Sequence, residues 1–232
     1  MDGSKKVIPI SGIREIIAQR VFKSYHEIPH VTLSLEVDVK RIMDLRDGNT
    51  KRNLENFSFT DIIIFASSHA LKSHPLLNAH FQSGNIILKE EINIGIAVDT
   101  DQGIIVPVIR NLEKMEFKEL VRTRKSLVDK VRKRRIIPDE LNGGTFTITN
   151  LGNYGINTFN PIINSPEVAI LGVGQIKDEP VVINNNVVVR PILRLCLSFD
   201  HRVMDGVPAA RFLCTVKELL EEPSKFLKFP LF

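Results

Sequence analysis

Two valine-rich runs, residues 181–183 and 187–189, flank three consecutive asparagines, Asn184-Asn185-Asn186. Asparagine accepts turn conformations that β-branched residues resist, so this pattern is a hairpin. The hairpin joins two longer apolar runs, 168–173 upstream and 193–199 downstream. In the second, Leu195, Leu197 and Phe199 alternate with Cys196 and Ser198, the period-two pattern of a strand. A chain with such a pair must build a sheet and find helices to cover it. The downstream strand then ends abruptly in a charged turn, Asp200-His201-Arg202-Val203-Met204-Asp205-Gly206.

The preceding sequence supplies the cover. Residues 1–8 lack periodicity and read as the remnant of a linker. Ser11 is placed to cap a helix running to about Glu27, with Ile13, Ile16, Ile17, Val21 and Tyr25 on one face. Pro29 stops it, and His30–Asp38 alternates as a strand with one wet face. A short helix near 39–45 and a polar loop over 46–56 follow. Thr60 or Asp61 opens an apolar helix over 62–73, ended by His74-Pro75. Strands are expected at 85–88, 92–98 and 104–109, the last two pairing across the turn from Asp99 to Gly103. Pro107 inside the third implies an edge or a bulge. A long helix spans 117 to about 136, a short strand 145–149, and a closing helix 208–220. No internal repeat is present, and no domain boundary follows residue ~8. The expectation is a single α/β domain over 9–232, a mixed β-sheet flanked by helices.

Composition sets the class. Hydrophobic residues at 43% and charged residues at 25% describe an ordinary globular chain. No apolar run approaches the ~18 to 20 residues of a membrane span. Two cysteines cannot make a disulfide framework. Cys196 on a strand and Cys214 on an apolar helix both read as buried core thiols, which points to a reducing, cytoplasmic setting. A net charge of +4 is too small to indicate nucleic acid. Arg122, Arg124, Lys125, Lys130, Arg132, Lys133, Arg134 and Arg135 crowd one helix. They form either a solvated face or an anion-attracting surface for a phosphorylated cofactor or an acidic partner.

Few groups can carry chemistry. His201 ends a rigid strand, with Asp200 and Asp205 as carboxylates able to orient or charge-stabilise the ring. Gly206 would permit a close backbone approach or a positive φ. As metal ligands, His201 and Asp205 lack a third, and the spacing of His69, His74 and His80 across Pro75 matches no standard site. In Gly143-Gly144-Thr145-Phe146-Thr147-Ile148-Thr149-Asn150-Leu151-Gly152, three threonines share one strand face. Such rows suit sheets for structural reasons, and Thr149, last before the turn, is best placed for a reacting atom. The segments 94–98 and 104–108 either line a ligand channel or close-pack as a hairpin. Gly172-Val173-Gly174 lacks the third glycine and following helix of a dinucleotide site.

Taken together, six segments in order resemble the catalytic domain of the dihydrolipoamide acyltransferases, the E2 components of 2-oxoacid dehydrogenase complexes. They are Ser11-Gly12-Ile13-Arg14 with Ala18-Gln19-Arg20; Pro29-His30-Val31-Thr32; the stretch from Val98 to Val108; Gly144 to Gly152; Pro161 to Gly174, which includes Asn164-Ser165-Pro166-Glu167; and Asp200 to Gly206. That family shares its fold and its His-x-x-x-Asp-Gly motif with chloramphenicol acetyltransferase. The resemblance implies acyl transfer between dihydrolipoamide and coenzyme A, with acetyl or branched-chain acyl groups favoured over succinyl. It implies His201 as the base for the thiol proton, and Thr149, where the family usually has serine, as donor to the oxyanion. Asp205 would fix the loop through an ion pair, for which Arg14 is a candidate, and Asp200 would be structural. It further implies a homotrimer with each site between subunits, assembly into a hollow core, and a lipoyl group carried on a separate domain. Lipoyl and peripheral subunit-binding domains, through which E1 and E3 components would be engaged, lie outside this stretch; no metal, nucleic acid or membrane is implied. The alternative is a catalytically silent scaffold that only assembles the core.

Overall fold

A computed structural model describes residues 7–51 and 57–227. Its centre is the hairpin anticipated above. Strand β9 (Ala169–Ile183) and strand β10 (Asn186–Asp200) run antiparallel along their whole length. Asn184 and Asn185 turn the corner at φ 50° and 60°, left-handed values that asparagine accepts more readily than most residues. Beside β10 lies β1 (His30–Asp38), antiparallel. On the other side β9 pairs in parallel with β8 (Phe146–Asn150), and β8 in parallel with β4 (Ile94–Ile96). A short antiparallel edge, β7 (Val108–Ile109), completes six strands in the order β1-β10-β9-β8-β4-β7.

The sheet has two unlike faces because its sequences alternate. One face carries Phe146, Ile148, Ala169, Leu171, Leu195, Leu197 and Phe199, all fully buried. Against it pack α5 (Gly206–Glu221), α3 (Phe59–Ser73) and α2 (Lys40–Lys51), with α4 (Phe117–Arg132) behind α3. Ser58 caps α3 in a reciprocal box with Asp61, and Ile62, Ile63 and Ile64 vanish from solvent. Each is worth about 2 to 3 kcal/mol of burial. Asp61 also receives the Arg124 guanidinium, which ties α3 to α4. The opposite face is polar and small, with Thr32, Cys196, Ser198 and Thr147. It is covered by the loop 155–166 and a minor cluster of Ile28, Ile163 and Ile170.

Several expectations shift. Ser11 does not cap α1 (Ile13–Glu27); Gly12 stands at the cap position without a side-chain bond. The apolar face of α1 is open: Ile13, Ile16, Val21, Phe22 and Tyr25 are exposed, and only Ser24 is buried, donating to the Ile163 carbonyl at 2.6 Å. Helix α2 continues to Lys51, past the expected end near 45; part of the polar loop, 52–56, lies outside the described residues. Likewise outside are residues 1–6 of the linker segment and 228–232 of the tail. Strand β2 (Ala79–Gln82) was not anticipated; it pairs with β3 (Asn85–Leu88) across Ser83-Gly84. The third middle strand is split at Pro107, which lacks the N–H a ladder needs. Its first part, β6 (Gly103–Ile105), forms the expected hairpin with β5 (Val98–Thr100), while β7 joins the main sheet. Helix α4 stops at Arg132, and Arg134 turns left-handed at φ 57°. Cys214 is exposed, on the solvent side of α5, so only Cys196 is a core thiol.

Candidate active site

His201 follows the last residue of β10 and heads a turn clamped from below. Asp200 is fully buried, and its carboxylate accepts from the Arg202 backbone N–H at 2.9 Å and from the Arg202 guanidinium at 2.6 to 3.2 Å. That guanidinium also lies 4.4 Å over the Phe81 ring. Asp200 is therefore structural, and it raises the Arg202 pKa. The His201 N–H donates to the Pro29 carbonyl at 3.2 Å, and its ring is 5.8 Å from that of Phe199. The imidazole itself is exposed. Its Nδ1 faces Asp205 Oδ1 at 3.9 Å, too far for a hydrogen bond and close enough for charge stabilisation. Asp205 stands before α5 and is almost fully exposed. Arg14 packs against Gly103 instead, in the β5–β6 turn. Gly206 needs neither positive φ nor close approach: it opens α5 with free space where a Cβ would sit.

The threonine row is resolved residue by residue. Thr145 hydrogen-bonds the Asn93 backbone at 3.0 and 3.1 Å. Thr147 is buried, its hydroxyl 2.6 Å from the Glu167 carboxyl. Thr149 is half-buried, and no hydrogen bond engages its hydroxyl among the described residues. Of three hydroxyls on one face, two hold the fold and one is free. Thr149 lies opposite Gly172, where an added Cβ would meet the Phe159 ring at 2.9 Å. Beyond it, Asn150 accepts from the Gly152 N–H at 2.8 Å and closes the turn.

The sheet register keeps Thr149 and His201 of one chain apart. Thr149 aligns with Gly172 and Gly172 with Cys196, so Cys196 is two strands away, about 10 Å. Asp200 lies four residues further along β10, about 13 Å, and His201 lies beyond it. Side chains of these sizes cannot span that gap.

The remaining candidates resolve structurally. His69 bonds the Phe65 carbonyl at 2.9 Å, His74 the Thr215 hydroxyl at 3.0 Å, and His80 the Gly144 carbonyl at 2.8 Å. Burial lowers the pKa of all three. Ile94, Gly95 and Ile96 are buried, and a Cβ on Gly95 would meet Val106 at 2.7 Å, so this part of the middle hairpin is close-packed. On the basic helix Arg124 pairs with Asp61 and Lys130 with Glu140, and just past its end Lys133 pairs with Asp129 and Arg134 with Asp101. Among the described residues no helix is long and apolar enough to cross a membrane.

Glu167 escaped the sequence reading. It is fully buried at the head of β9, and burial without a cation pushes its pKa up to about 8, against the hydrogen bonds from Thr147 and Asn164. The signal was a carboxylate directly before an uninterrupted apolar strand.

In fold, this is the architecture of chloramphenicol acetyltransferase, which overlays with a TM-score of 0.56 over 93% of this chain and 99% of that chain at 13% identity. The sequence is more specific. The profile of the 2-oxoacid dehydrogenases acyltransferase (catalytic domain) family matches residues 2–228, and the chain belongs to that family. It is 37% identical, over 97% of its length, to the succinyltransferase component of the Haemophilus influenzae 2-oxoglutarate dehydrogenase complex. It is 39% identical, over 93% of its length, to the lipoamide acyltransferase component of the Bacillus subtilis branched-chain alpha-keto acid dehydrogenase complex. The matches cover 56% and 52% of those proteins, so the chain spans about half the length of the curated relatives it matches. Two solved structures overlay with a TM-score of 0.92 at 33% identity, covering 98% of this chain and 96% of theirs. One is the cubic core of the pyruvate dehydrogenase multienzyme complex. The other is Azotobacter vinelandii dihydrolipoamide acetyltransferase, solved to probe the catalytic roles of a serine, a histidine and an asparagine.

Proposed function

We propose that this domain is the acyl-transfer core of an E2 component, moving an acyl group between dihydrolipoamide and coenzyme A at a site completed by a second copy of the chain. The observation that carries this reading is the pair of half-sites: an exposed imidazole at one end of β10 and a free hydroxyl at the end of β8, too far apart to meet within one chain. In the Azotobacter enzyme the serine precedes the histidine by as many residues as separate Thr149 from His201. Its asparagine follows the histidine at the spacing of Asp205. Thr149 keeps the serine's hydroxyl, and Asp205 replaces the amide with a carboxylate.

His201 takes the proton from the coenzyme A thiol. Its Nδ1 faces Asp205, which leaves Nε2 to act as the base. The thiolate adds to the thioester carbonyl of acyl-dihydrolipoamide, and Thr149 donates a hydrogen bond to the oxyanion, worth ~3 to 4 kcal/mol. As the intermediate collapses, the bond to the dihydrolipoamide sulfur breaks and the imidazolium returns the proton to that sulfur. The acyl group leaves on coenzyme A. The Phe159 ring packed on Gly172 beside Thr149 favours a small uncharged acyl group in this reading, acetyl or branched-chain over succinyl.

Exposed Val7, Ile8, Ile10, Ile13, Ile16, Val21, Phe22 and Tyr25 form an apolar surface that a homotrimer would bury, and such trimers would build a hollow core as in the cubic pyruvate dehydrogenase relative. The lipoyl group would arrive on a separate domain, and E1 and E3 would dock through segments outside this domain. In the test, His201→Ala is assayed with dihydrolipoamide and acetyl-, isobutyryl- or succinyl-CoA while assembly is followed by light scattering. A fall of at least ~100-fold with the assembly intact is expected. Unchanged activity removes the base, and absence of transfer in the unaltered protein leaves the scaffold reading.

A further inference from the structure

The mechanism above leaves one buried ionisable group unused. Glu167 is buried, and no ion pair engages it among the described residues: its Oε2 lies 2.6 Å from the Thr147 hydroxyl, and its Oε1 accepts from the Asn164 amide at 3.1 Å. The backbone is shaped around it. A Cβ on Gly144, at the entry to β8, would stand 2.8 Å from Oε1. Asn164 also reaches the Thr147 hydroxyl at 3.5 Å, so the carboxyl, the amide and the hydroxyl close a triangle.

Other ionisable groups nearby are already committed. From β2, His80 bridges to Glu167 through the backbone, while its ring bonds the Gly144 carbonyl and burial lowers its pKa. From the turn after β10, Asp200 and Arg202 pair with each other. From β1, His30 Nε2 accepts from the Ile163 N–H at 3.1 Å. From α1, Lys23 and Glu27 line the rim of a cleft of about 620 Å³, whose wall includes Glu167. None forms an ion pair with the carboxyl.

Thr147 precedes Thr149 by one pleat on the same face of β8, so whatever grips Thr147 sets the strand that carries Thr149. We propose that Glu167 is a positioning residue for acyl transfer: through Thr147 its carboxyl fixes the end of β8 and thereby the direction of the Thr149 hydroxyl. This rests on Thr149 as the oxyanion donor. The Thr147 hydroxyl donates to the carboxyl in this geometry; in the neutral acid it can turn to acceptor, so that one carboxyl oxygen donates to it while the other accepts from Asn164. Ionising the carboxyl costs free energy here, because it is buried and no ion pair engages it among the described residues. Glutamine has the same shape and the same donor and acceptor, without the titration.

The experiment measures steady-state kinetics of the assembled protein with dihydrolipoamide and acetyl-CoA from pH 6 to 9.5 for Glu167→Gln, Glu167→Leu, Thr149→Val and the double variant Glu167→Leu/Thr149→Val. Glu167→Gln should keep kcat at neutral pH and lose a decline that the unaltered protein shows near pH 8. Glu167→Leu should lower kcat about 10-fold with the KM for coenzyme A unchanged. On the Thr149→Val background the same change should cost less than about 2-fold, because the hydroxyl it positions is gone. An equal cost on both backgrounds, a change confined to KM, or an alkaline decline that survives in Glu167→Gln overturns the proposal. If Glu167→Leu does not assemble, the Glu167→Gln pH profile decides. A Thr149→Val enzyme with full kcat instead overturns the oxyanion assignment, a result distinct from any failure at Glu167.

Discussion

An imidazole held by its backbone and left free at its ring is a different object from a core histidine. His69, His74 and His80 each spend a ring nitrogen on a protein oxygen, whereas His201 meets only a carboxylate at 3.9 Å. The same contrast separates Thr149 from Thr145 and Thr147. Replacing Thr149 with valine, nearly isosteric, should cut kcat by about 100-fold while coenzyme A affinity, read by calorimetry, stays unchanged. A loss of affinity alone would make Thr149 a binding residue. His201 and Thr149 could be singled out in the sequence because each ends a firmly periodic strand. The fates of their neighbours could not. Whether a threonine hydroxyl is free depends on what the loop 155–166 places over it, and nothing in the β8 sequence encodes that. Glu167 carried only a weak signal, a carboxylate directly before an apolar strand; its grip on Thr147, twenty residues away in sequence, could not be read from it.

At the scale of elements, charge placement decides more than propensity. The basic run on α4 looks like a uniform cationic face in sequence, yet Arg124 reaches a fully buried carboxylate on α3. Removing it in Arg124→Leu leaves Asp61 charged, buried and short of its cation. Unfolding in denaturant should show a loss of about 3 kcal/mol. Glu167 works in the opposite sense. The folded chain keeps a proton that the unfolded chain releases above about pH 4.5, so the contribution of Glu167 to stability falls as pH rises from there and is lost by about pH 8. Glu167→Gln should lack this slope, and its denaturation midpoint should overtake that of the unaltered protein at alkaline pH. Long strands and two short ones, β3 and β8, stand where the sequence places them. Strand β2 was missed because Ala79-His80-Phe81-Gln82 is too short to show alternation, and its partner β3 is exposed along its length. The break at Pro107 followed from one missing N–H and was legible.

For the whole molecule, the separation of Thr149 from His201 across the sheet can be tested without a partner protein. Chains bearing His201→Ala and chains bearing Thr149→Val should each be nearly inactive alone. If each site takes its imidazole from one chain and its hydroxyl from the next, trimers reassembled from an equal mixture should recover about a quarter of their sites. A site confined to one chain recovers none. The fold class, the mixed sheet and the covering helices could be read from strand alternation and helical periodicity, although the expected cap at Ser11 did not form. The assembly came only from the family resemblance, because an exposed apolar helix such as α1 looks in sequence like any helix that packs inward.

The segment from Ile163 to Val168 touches both ends of the chemistry. Glu167 grips β8, and the Val168 carbonyl accepts the Asp200 N–H at 2.9 Å, one residue before His201. If each site in a ring of three such chains forms between neighbours, as proposed, those two ends face different neighbours. One faulty chain would then spoil two of the three reaction centres and leave a single sound one between the remaining pair. The injury outweighs the share of the defective copy, and in mixed assemblies a damaged version of this short stretch would act as a poison rather than as a mere absence.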